Sequence, residues 1–92
     1  MDDFTGLVKF SAEWCSPCKS FAPILKTAAE EAGVAVKDVD IDEEAEVASQ
    51  FGIRSVPTTI AFVDGKPIDM IVGSVSKERV LELASKINNN NS

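Results

Sequence analysis

Two cysteines separated by two residues stand between a short apolar run and a long amphipathic segment, which limits the folds open to the chain. Cys15 and Cys18 are the only cysteines among the 92 residues, and the only tryptophan, Trp14, directly precedes them. Two thiols with this spacing at the start of a helix lie about one turn apart, close enough to form a small disulfide ring. The segment therefore predicts a strand that leads directly into a helix, with a thiol pair at the junction.

Four short segments have the composition of β-strands bounded by turn residues. They cover residues 7–11, 34–41, 59–63 and 68–72. Asp64-Gly65, between the last two, is a strong signal for a two-residue hairpin. Pro67 predicts that the fourth strand lies at a sheet edge, because proline cannot donate to a neighbouring strand.

Three segments have the spacing of helices with one buried face. The first runs from Cys15 to Gly33 and has an apolar stripe at Phe21, Ile24, Leu25, Ala28 and Ala32. The second is predicted to begin with Asp42 as N-cap and to end at Gly52, burying Ala45, Ala48 and Phe51. The third starts near Ser76 and is predicted to bury Val80, Leu83, Ala84 and Ile87.

The predicted order is β-α-β-α-β-β-α, an α/β fold in a single domain that covers residues 1–92. Right-handed crossover makes the first two strands parallel, and the hairpin adds antiparallel strands. Helices are expected on both faces of this four-stranded mixed sheet. The polar end, residues 88–92, is predicted to be a disordered tail.

Composition and charge narrow the class of protein. The acidic start does not look like an export signal, and no apolar run approaches the roughly 20 residues that span a bilayer. We therefore expect a cytoplasmic protein without a membrane segment. A net charge of −6 disfavours nucleic acid and anionic membranes. It either steers the chain toward neutral or basic protein surfaces or only keeps it soluble.

The stretch Ala-Glu-Trp-Cys-Ser-Pro-Cys-Lys at residues 12–19 resembles the active-site segment of the thioredoxin family, with Ser16 where most members have glycine. The resemblance runs from about Leu7 to Ile87 and implies a shortened thioredoxin fold without the N-terminal strand and helix of longer members. It also implies a monomeric protein-disulfide reductase that uses the Cys15–Cys18 disulfide and no other cofactor. Its partners would be a thioredoxin reductase-type electron donor and oxidised client proteins.

The two thiols are expected to have different roles. A cysteine reacts as thiolate, and the N-terminus of a helix favours the anion of Cys15, whereas Cys18 lies one turn inside and is more shielded. Cys15 would attack a client disulfide, and Cys18 would resolve the mixed disulfide, as the resemblance also implies. Pro17 is tolerated in the first turn, where its missing N–H would be unpaired.

Residues outside the motif complete the client-binding surface that the resemblance implies. Val56-Pro57-Thr58 matches the x-Pro-Thr loop of the family, whose proline is cis and packs opposite the thiols. The backbone of Val56 would then bind an extended client segment. Trp14 is expected on the docking surface, with a packing role as the alternative. The other side would be lined by Val72, Gly73 and Ser74, unless Gly73 merely ends a strand.

Lys9 departs from the family. The corresponding position of longer thioredoxins holds a buried aspartate thought to handle the proton of the resolving cysteine, and a lysine often lies on the neighbouring strand. Alignment back from Pro57 makes that neighbour Asp38, so the two charges have changed places. We predict an ion pair, because a lone buried ammonium is costly. The alternative is that Lys9 reaches the surface and Asp38 faces water.

Four residues are expected to tune the thiols, namely Lys9, Asp38, Ser16 and Pro17. Lys9 would either favour a thiolate by its charge or, as a neutral amine, accept the proton of Cys18. The hydroxyl of Ser16 would bond to a thiolate or to an N–H of the first turn and shift the redox potential.

Other interpretations remain open from the sequence. The cysteines have the spacing of half a zinc site, but without histidine or further cysteine a second copy would be needed. A purely structural disulfide across so short a loop would remove little entropy from the unfolded chain. An oxidant or isomerase of the same fold would suit an oxidising compartment. A binding module would use the surface around Trp14 and Pro57 without redox turnover.

Overall fold

The computed structural model describes residues 3–90, and its elements follow the predicted order. They are β1 (Gly6–Ser11), α1 (Ser16–Ala32), β2 (Val36–Asp40), α2 (Ala45–Gln50), β3 (Thr58–Val63), β4 (Lys66–Val72) and α3 (Lys77–Asn90). Within the described residues, no helix is both long enough and apolar enough to cross a membrane.

The strands form one mixed sheet in the order β2-β1-β3-β4. β1 and β2 are parallel, whereas β3 is antiparallel to both of its neighbours, β1 and β4. Asp64 and Gly65 both have positive φ angles in the turn between β3 and β4, as a type I′ hairpin requires. Pro67 lies in β4, which is an edge strand as predicted.

Alternation along the strands sends apolar side chains to two separate cores, so helices cover both faces of the sheet as predicted. The core beneath α1 and α3 includes Leu7, Phe21, Leu25, Ala61 and Leu83. The core beneath α2 includes Val8, Phe10, Val39, Ile60 and Phe62. All four predicted core positions of α3 are buried, namely Val80, Leu83, Ala84 and Ile87.

The two ends of α1 follow the local chemistry of the sequence. Cys15, in an extended conformation, is the N-cap, and Pro17 lies in the first turn. Gly33 adopts a left-handed conformation with φ of 70° at the C-terminal end, where a side chain would be strained. The helix therefore begins directly at the thiol pair.

Two predictions of buried helical faces are partly wrong. Ile24 lies at the edge of the α1 stripe and is 36% exposed, while Ala29 is buried in the core. In α2 only Ala48 is buried, because so short a helix presents little more than one residue to the sheet. Ala45 is exposed and Phe51 follows the helix at its C-cap.

The start of α2 and the end of α3 also differ from the prediction. The carboxylate of Asp40 accepts the N–H groups of Asp42 at 2.8 Å and of Glu43 at 3.2 Å. These residues therefore form a separate turn, and α2 begins at Ala45 rather than at an Asp42 cap. At the other end, α3 continues through Asn90, so residues 88–90 are helical rather than a disordered tail. Residues 91 and 92 lie outside the described residues.

Candidate active site

The Cys15–Cys18 disulfide lies at the junction of β1 and α1, with its Cα atoms 5.3 Å apart. The backbone N–H of Cys18 donates to Sγ of Cys15 at 3.2 Å. After reduction, this N–H and the positive end of the α1 dipole would stabilise a thiolate at Cys15. The local structure therefore favours the anion on the first cysteine of the pair.

Burial alone does not distinguish the two cysteines. Cys15 is 3% exposed and Cys18 is 2% exposed, so the greater shielding expected for Cys18 is not seen in the disulfide form. Both pack with Ala12 against Ile41 and Val56. What separates the sulfurs is their position, because Cys15 precedes the helix whereas Cys18 belongs to its first turn.

Three loops meet around the disulfide. The Val56–Pro57 peptide bond is cis, as the resemblance implies, and the carbonyl oxygen of Val56 lies 3.7 Å from Sγ of Cys15. The N–H of Gly73 donates to the carbonyl of Pro57 at 2.8 Å. The hydroxyl of Ser74 donates to the carbonyl of Pro17 at 3.4 Å. The bond from Gly73 continues the β3–β4 ladder by one step and links the end of β4 to the proline loop.

Trp14 projects from this surface rather than packing in the core. Its side chain is 68% exposed, and its Nε1 donates to Oδ2 of Asp42 at 3.0 Å. Val72, across the site, is 60% exposed. An open groove of about 410 Å³ beside the indole is lined by Glu13, Trp14, Asp40, Asp42 and Glu43. The exposed indole is thus bordered on one side by carboxylates.

Lys9 lies beneath α1 and forms the predicted ion pair. Its Nζ is 3.2 Å from Oδ1 of Asp38, which faces it in register on β2. The lysine side chain is only 11% exposed, whereas the aspartate side chain is 68% exposed. Lys9 also lines a small cavity together with Cys18, so the charge reversal lies next to the thiol pair.

Two further predictions concern the hydroxyl of Ser16 and a possible metal site. Ser16 is exposed at the start of α1, and within residues 3–90 no hydrogen bond of its hydroxyl is seen. No group of three or more His, Cys, Asp or Glu side chains in the described part of the chain is arranged to hold a metal ion.

Three polar residues of the site were missed from the sequence. Asp42 was interpreted as a helix cap, but its carboxylate accepts the indole N–H of Trp14. Asp40 was not considered, but its carboxylate accepts the backbone N–H of Asp42, two residues later. Aspartate often makes this bond at the start of a turn, so the residue type was the available signal. Thr59 is fully buried, and its hydroxyl has no hydrogen-bond partner among the described residues. It pairs in register with Lys9, on the same face of the sheet. The available signal was the pair of adjacent threonines, Thr58 and Thr59, at the start of a central strand whose other residues are apolar.

Comparison with known proteins agrees with this geometry. The family model described as thioredoxin matches residues 2–87. The chain is 46% identical over 81 residues to thioredoxin of Chlamydia muridarum, covering 87% of this chain and 79% of the relative. It is 42% identical over 86 residues to thioredoxin 1 of a Nostoc species, covering 91% and 80% of the two chains.

Solved structures show the same architecture. A mutant thioredoxin from Halobacterium salinarum superposes with a TM-score of 0.82 at 36% identity, covering 88% of this chain and 72% of the other. Reduced thioredoxin pre-protein from Schistosoma mansoni gives a TM-score of 0.83 at 32% identity, with coverage of 94% and 81%. With its CxxC pair at the head of α1, the chain belongs to the thioredoxin family and is a thiol-disulfide oxidoreductase.

Proposed function

We propose that the chain is a general protein-disulfide reductase in which Cys15 is the nucleophile and Cys18 resolves the mixed disulfide. The observation that carries this assignment is the position of Cys15 at the N-cap of α1, where its Sγ accepts the N–H of Cys18. A sulfur so placed gives up its proton more readily than one inside the first turn. Cys15 would therefore react first.

The reaction takes place in two exchanges of sulfur bonds. The thiolate of Cys15 attacks one sulfur of a client disulfide, which forms a mixed disulfide and releases the other client sulfur as a thiolate. Sγ of Cys18 then loses its proton and attacks Sγ of Cys15, so the Cys15–Cys18 bond forms and the second client sulfur leaves. The client gains two electrons and two protons, and the dithiol is oxidised to the disulfide.

The client-binding surface proposed for this reaction surrounds the disulfide. The exposed side chains of Trp14 and Val72 support a role in apolar contacts with a client. Tryptophan in particular is enriched at protein interfaces. Proximity of the Val56 carbonyl to Cys15 supports pairing with an extended client backbone. The client-binding surface also includes Pro57, Gly73 and Ser74, which hydrogen bonds between the loops hold next to the disulfide.

Tuning of the thiols is assigned to four residues. Lys9 lines the cavity next to Cys18 and would favour a nearby thiolate through its charge, while Asp38 holds the ammonium in place. Pro17 gives the first turn of α1 its shape, and Ser16 offers an exposed hydroxyl beside Cys15. Both would shift the redox potential rather than take part in bond exchange.

Partners and setting follow from the same proposal. A thioredoxin reductase-type donor would return electrons to the disulfide, and oxidised proteins would accept them. A monomer in the cytoplasm, without nucleic acid or membrane partners, is the form expected from the acidic sequence. A reducing compartment is also where a dithiol of this kind would remain available.

The experiment compares insulin reduction by the chain, with a thioredoxin reductase and NADPH as electron source, against a Cys15→Ser, Cys18→Ser double variant. Catalytic reduction by the native chain and none by the double variant supports the proposal. Equilibration against a glutathione buffer gives the second readout, where a strongly reducing potential is expected. A strongly oxidising potential would instead identify an oxidant, and a cellular phenotype retained by the double variant would identify a binding module.

A further inference from the structure

The resolving step requires that a nearly buried thiol lose its proton. Cys18 is 2% exposed, so bulk water does not reach its sulfur freely. The chain contains no histidine, the side chain that most often accepts a proton near neutral pH. Lys9 lies near Cys18 but is already paired as a cation with Asp38. If Cys18 is the resolving cysteine, as proposed above, its proton acceptor is therefore a carboxylate or a water held by one.

One small, open cavity is lined by Cys18 and by two residues with carboxylates, the exposed Glu13 and the half-buried Asp40. Its volume is about 190 Å³, which is room for several waters at about 30 Å³ each. Among its lining residues are Cys18, Lys9, Ser11, Lys19, Ala22 and Asp40. The cavity therefore offers a path for a proton from the sulfur to the side chain of Asp40.

Two features distinguish Asp40 from Asp38 on the same strand. Asp38 pairs with Lys9 and is 68% exposed, and it borders a neighbouring groove whose lining does not include Cys18. Asp40 is half-buried, and its Oδ1 is held by the N–H groups of Asp42 and Glu43. Because Oδ1 of Asp40 accepts these two bonds, its Oδ2 is available to accept a hydrogen bond from a water in the cavity.

We propose that Asp40 is the proton acceptor of Cys18, acting through water in this cavity. As Sγ of Cys18 attacks Sγ of Cys15, the proton of Cys18 passes to the carboxylate and the client sulfur leaves as a thiolate. The carboxylic acid then returns the proton to the leaving thiolate or to solvent. No electron enters or leaves in this transfer, so the acceptor changes only the rate of the step.

The neutral aromatic disulfide dithiodipyridine separates the two steps, because each of them releases one coloured pyridinethione. In stopped flow, the first phase reports attack by Cys15 and the second reports resolution by Cys18. Asp40→Asn is expected to slow the second phase by about 10²-fold and to change the first by about twofold or less. Asparagine keeps the side-chain carbonyl that binds the turn, so the fold is retained, as an unchanged unfolding midpoint would verify.

A pH profile separates proton transfer from a structural effect. The slowing in Asp40→Asn should disappear at alkaline pH, where Cys18 is already a thiolate and needs no acceptor. Other charges face the same cavity, the Asp40 turn or Lys9, and Glu13→Gln is the matched carboxylate control because Glu13 has no assigned role in the reaction. The charged residues are Lys9 from β1, Glu13 from the turn after it, Lys19 from α1, Asp38 on β2, and Asp42 and Glu43 from the next turn.

The measurements test the role of Asp40 separately from the proposed disulfide-reductase function. An unchanged second phase in Asp40→Asn, or a slowing that is equal at all pH values, overturns it. The same loss in Glu13→Gln overturns it as well. Asp40→Glu, which keeps a carboxylate, should recover part of the rate, and a Glu variant as slow as the Asn variant contradicts the proposal. Absence of both phases from the native protein would refute the proposed function itself.

Discussion

The two faces of the sheet differ in the half that lies next to the disulfide. Beneath α2 the buried side chains of the strands are Val8, Phe10, Val39, Ile60, Phe62 and one polar residue, Thr58. The hydroxyl of Thr58 is satisfied, because it donates to the carbonyl of Ser55 at 2.7 Å. Beneath α1, Leu7 and Ala61 are apolar, but the next positions toward the thiols are Lys9 and Thr59. Buried polar groups lower stability unless they are paired. Both faces contain an apolar core, so both stabilise the fold. The contrast indicates that only the part of the α1 face next to the disulfide gives up apolar packing to position polar groups around the chemistry.

The largest expected effect lies on the α2 face. Phe62 is fully buried, and its ring meets that of Phe51 edge-on at 5.3 Å between centroids. Phe62→Ala should lower the free energy of unfolding by about 3 to 5 kcal/mol, because a cavity replaces the ring. Urea unfolding measures the loss, and the fraction that remains folded should reduce disulfides at the native rate. A loss below about 1 kcal/mol would remove the contrast between the faces.

Lys9→Met tests the opposite prediction for the α1 face. Replacing a largely buried ammonium with an apolar chain of similar length should leave the stability unchanged or raise it by about 1 kcal/mol, because Asp38 is exposed enough to be hydrated. The thiol chemistry should change instead, with thiolate formation moved to higher pH because the nearby positive charge is gone. Titration of thiolate absorbance gives the shift. A stability loss as large as that of Phe62→Ala with unaltered thiols would reverse the assignment.

Thr59→Val sharpens the comparison within the α1 face. Valine has nearly the shape of threonine without the hydroxyl, which lacks a partner in the described structure. Removing it should raise the free energy of unfolding by about 1 kcal/mol without affecting the rate of disulfide reduction. Thermal or urea unfolding of both proteins provides the measurement. A clear loss of stability would mean that the hydroxyl is bonded, for example to a buried water.

The smallest effect is expected at the edge of the sheet, where Asp69 of β4 pairs with Lys86 of α3. The hydrogen bond from Lys86 holds the pKa of Asp69 below its ordinary value of 3.8. A lowered pKa in the folded state stabilises the fold above pH 3.8, and this contribution is lost as the pH falls through the folded value. Asp69→Asn should cost about 0.2 to 1 kcal/mol at neutral pH and nothing in strong acid. Equal losses at both pH values would exclude the ion pair as the cause.

Much of this arrangement follows from the sequence because local signals agree with one another. The hairpin at Asp64-Gly65 and the Gly33 helix end depend on backbone conformations that few residues adopt, and both are present. Parallel pairing of β1 with β2 then brings Lys9 opposite Asp38. The predicted ion pair could therefore be placed without knowledge of the packing.

Residues whose partners lie far away in the sequence could not be assigned their roles from the sequence. Asp42 has the composition of a helix cap, but its carboxylate binds the indole of Trp14, which lies 28 residues earlier in the sequence. Asp40 organises the turn that displaces the start of α2, and its position at the cavity of Cys18 depends on how α1 packs on the sheet. Neither side chain could be assigned from spacing alone, because each has a partner that only the tertiary fold brings near.

The most direct test of the account is to trap the mixed disulfide. Cys18→Ser cannot complete the second exchange, so incubation of the reduced variant with an oxidised client should accumulate a covalent adduct on Cys15, identified by mass spectrometry of the peptides. Cys15→Ser is the matched control and should form little adduct, because its remaining thiol lies inside the first turn of α1. An adduct that forms mainly on Cys18, or equally in both variants, would contradict the assignment of Cys15 as the nucleophile.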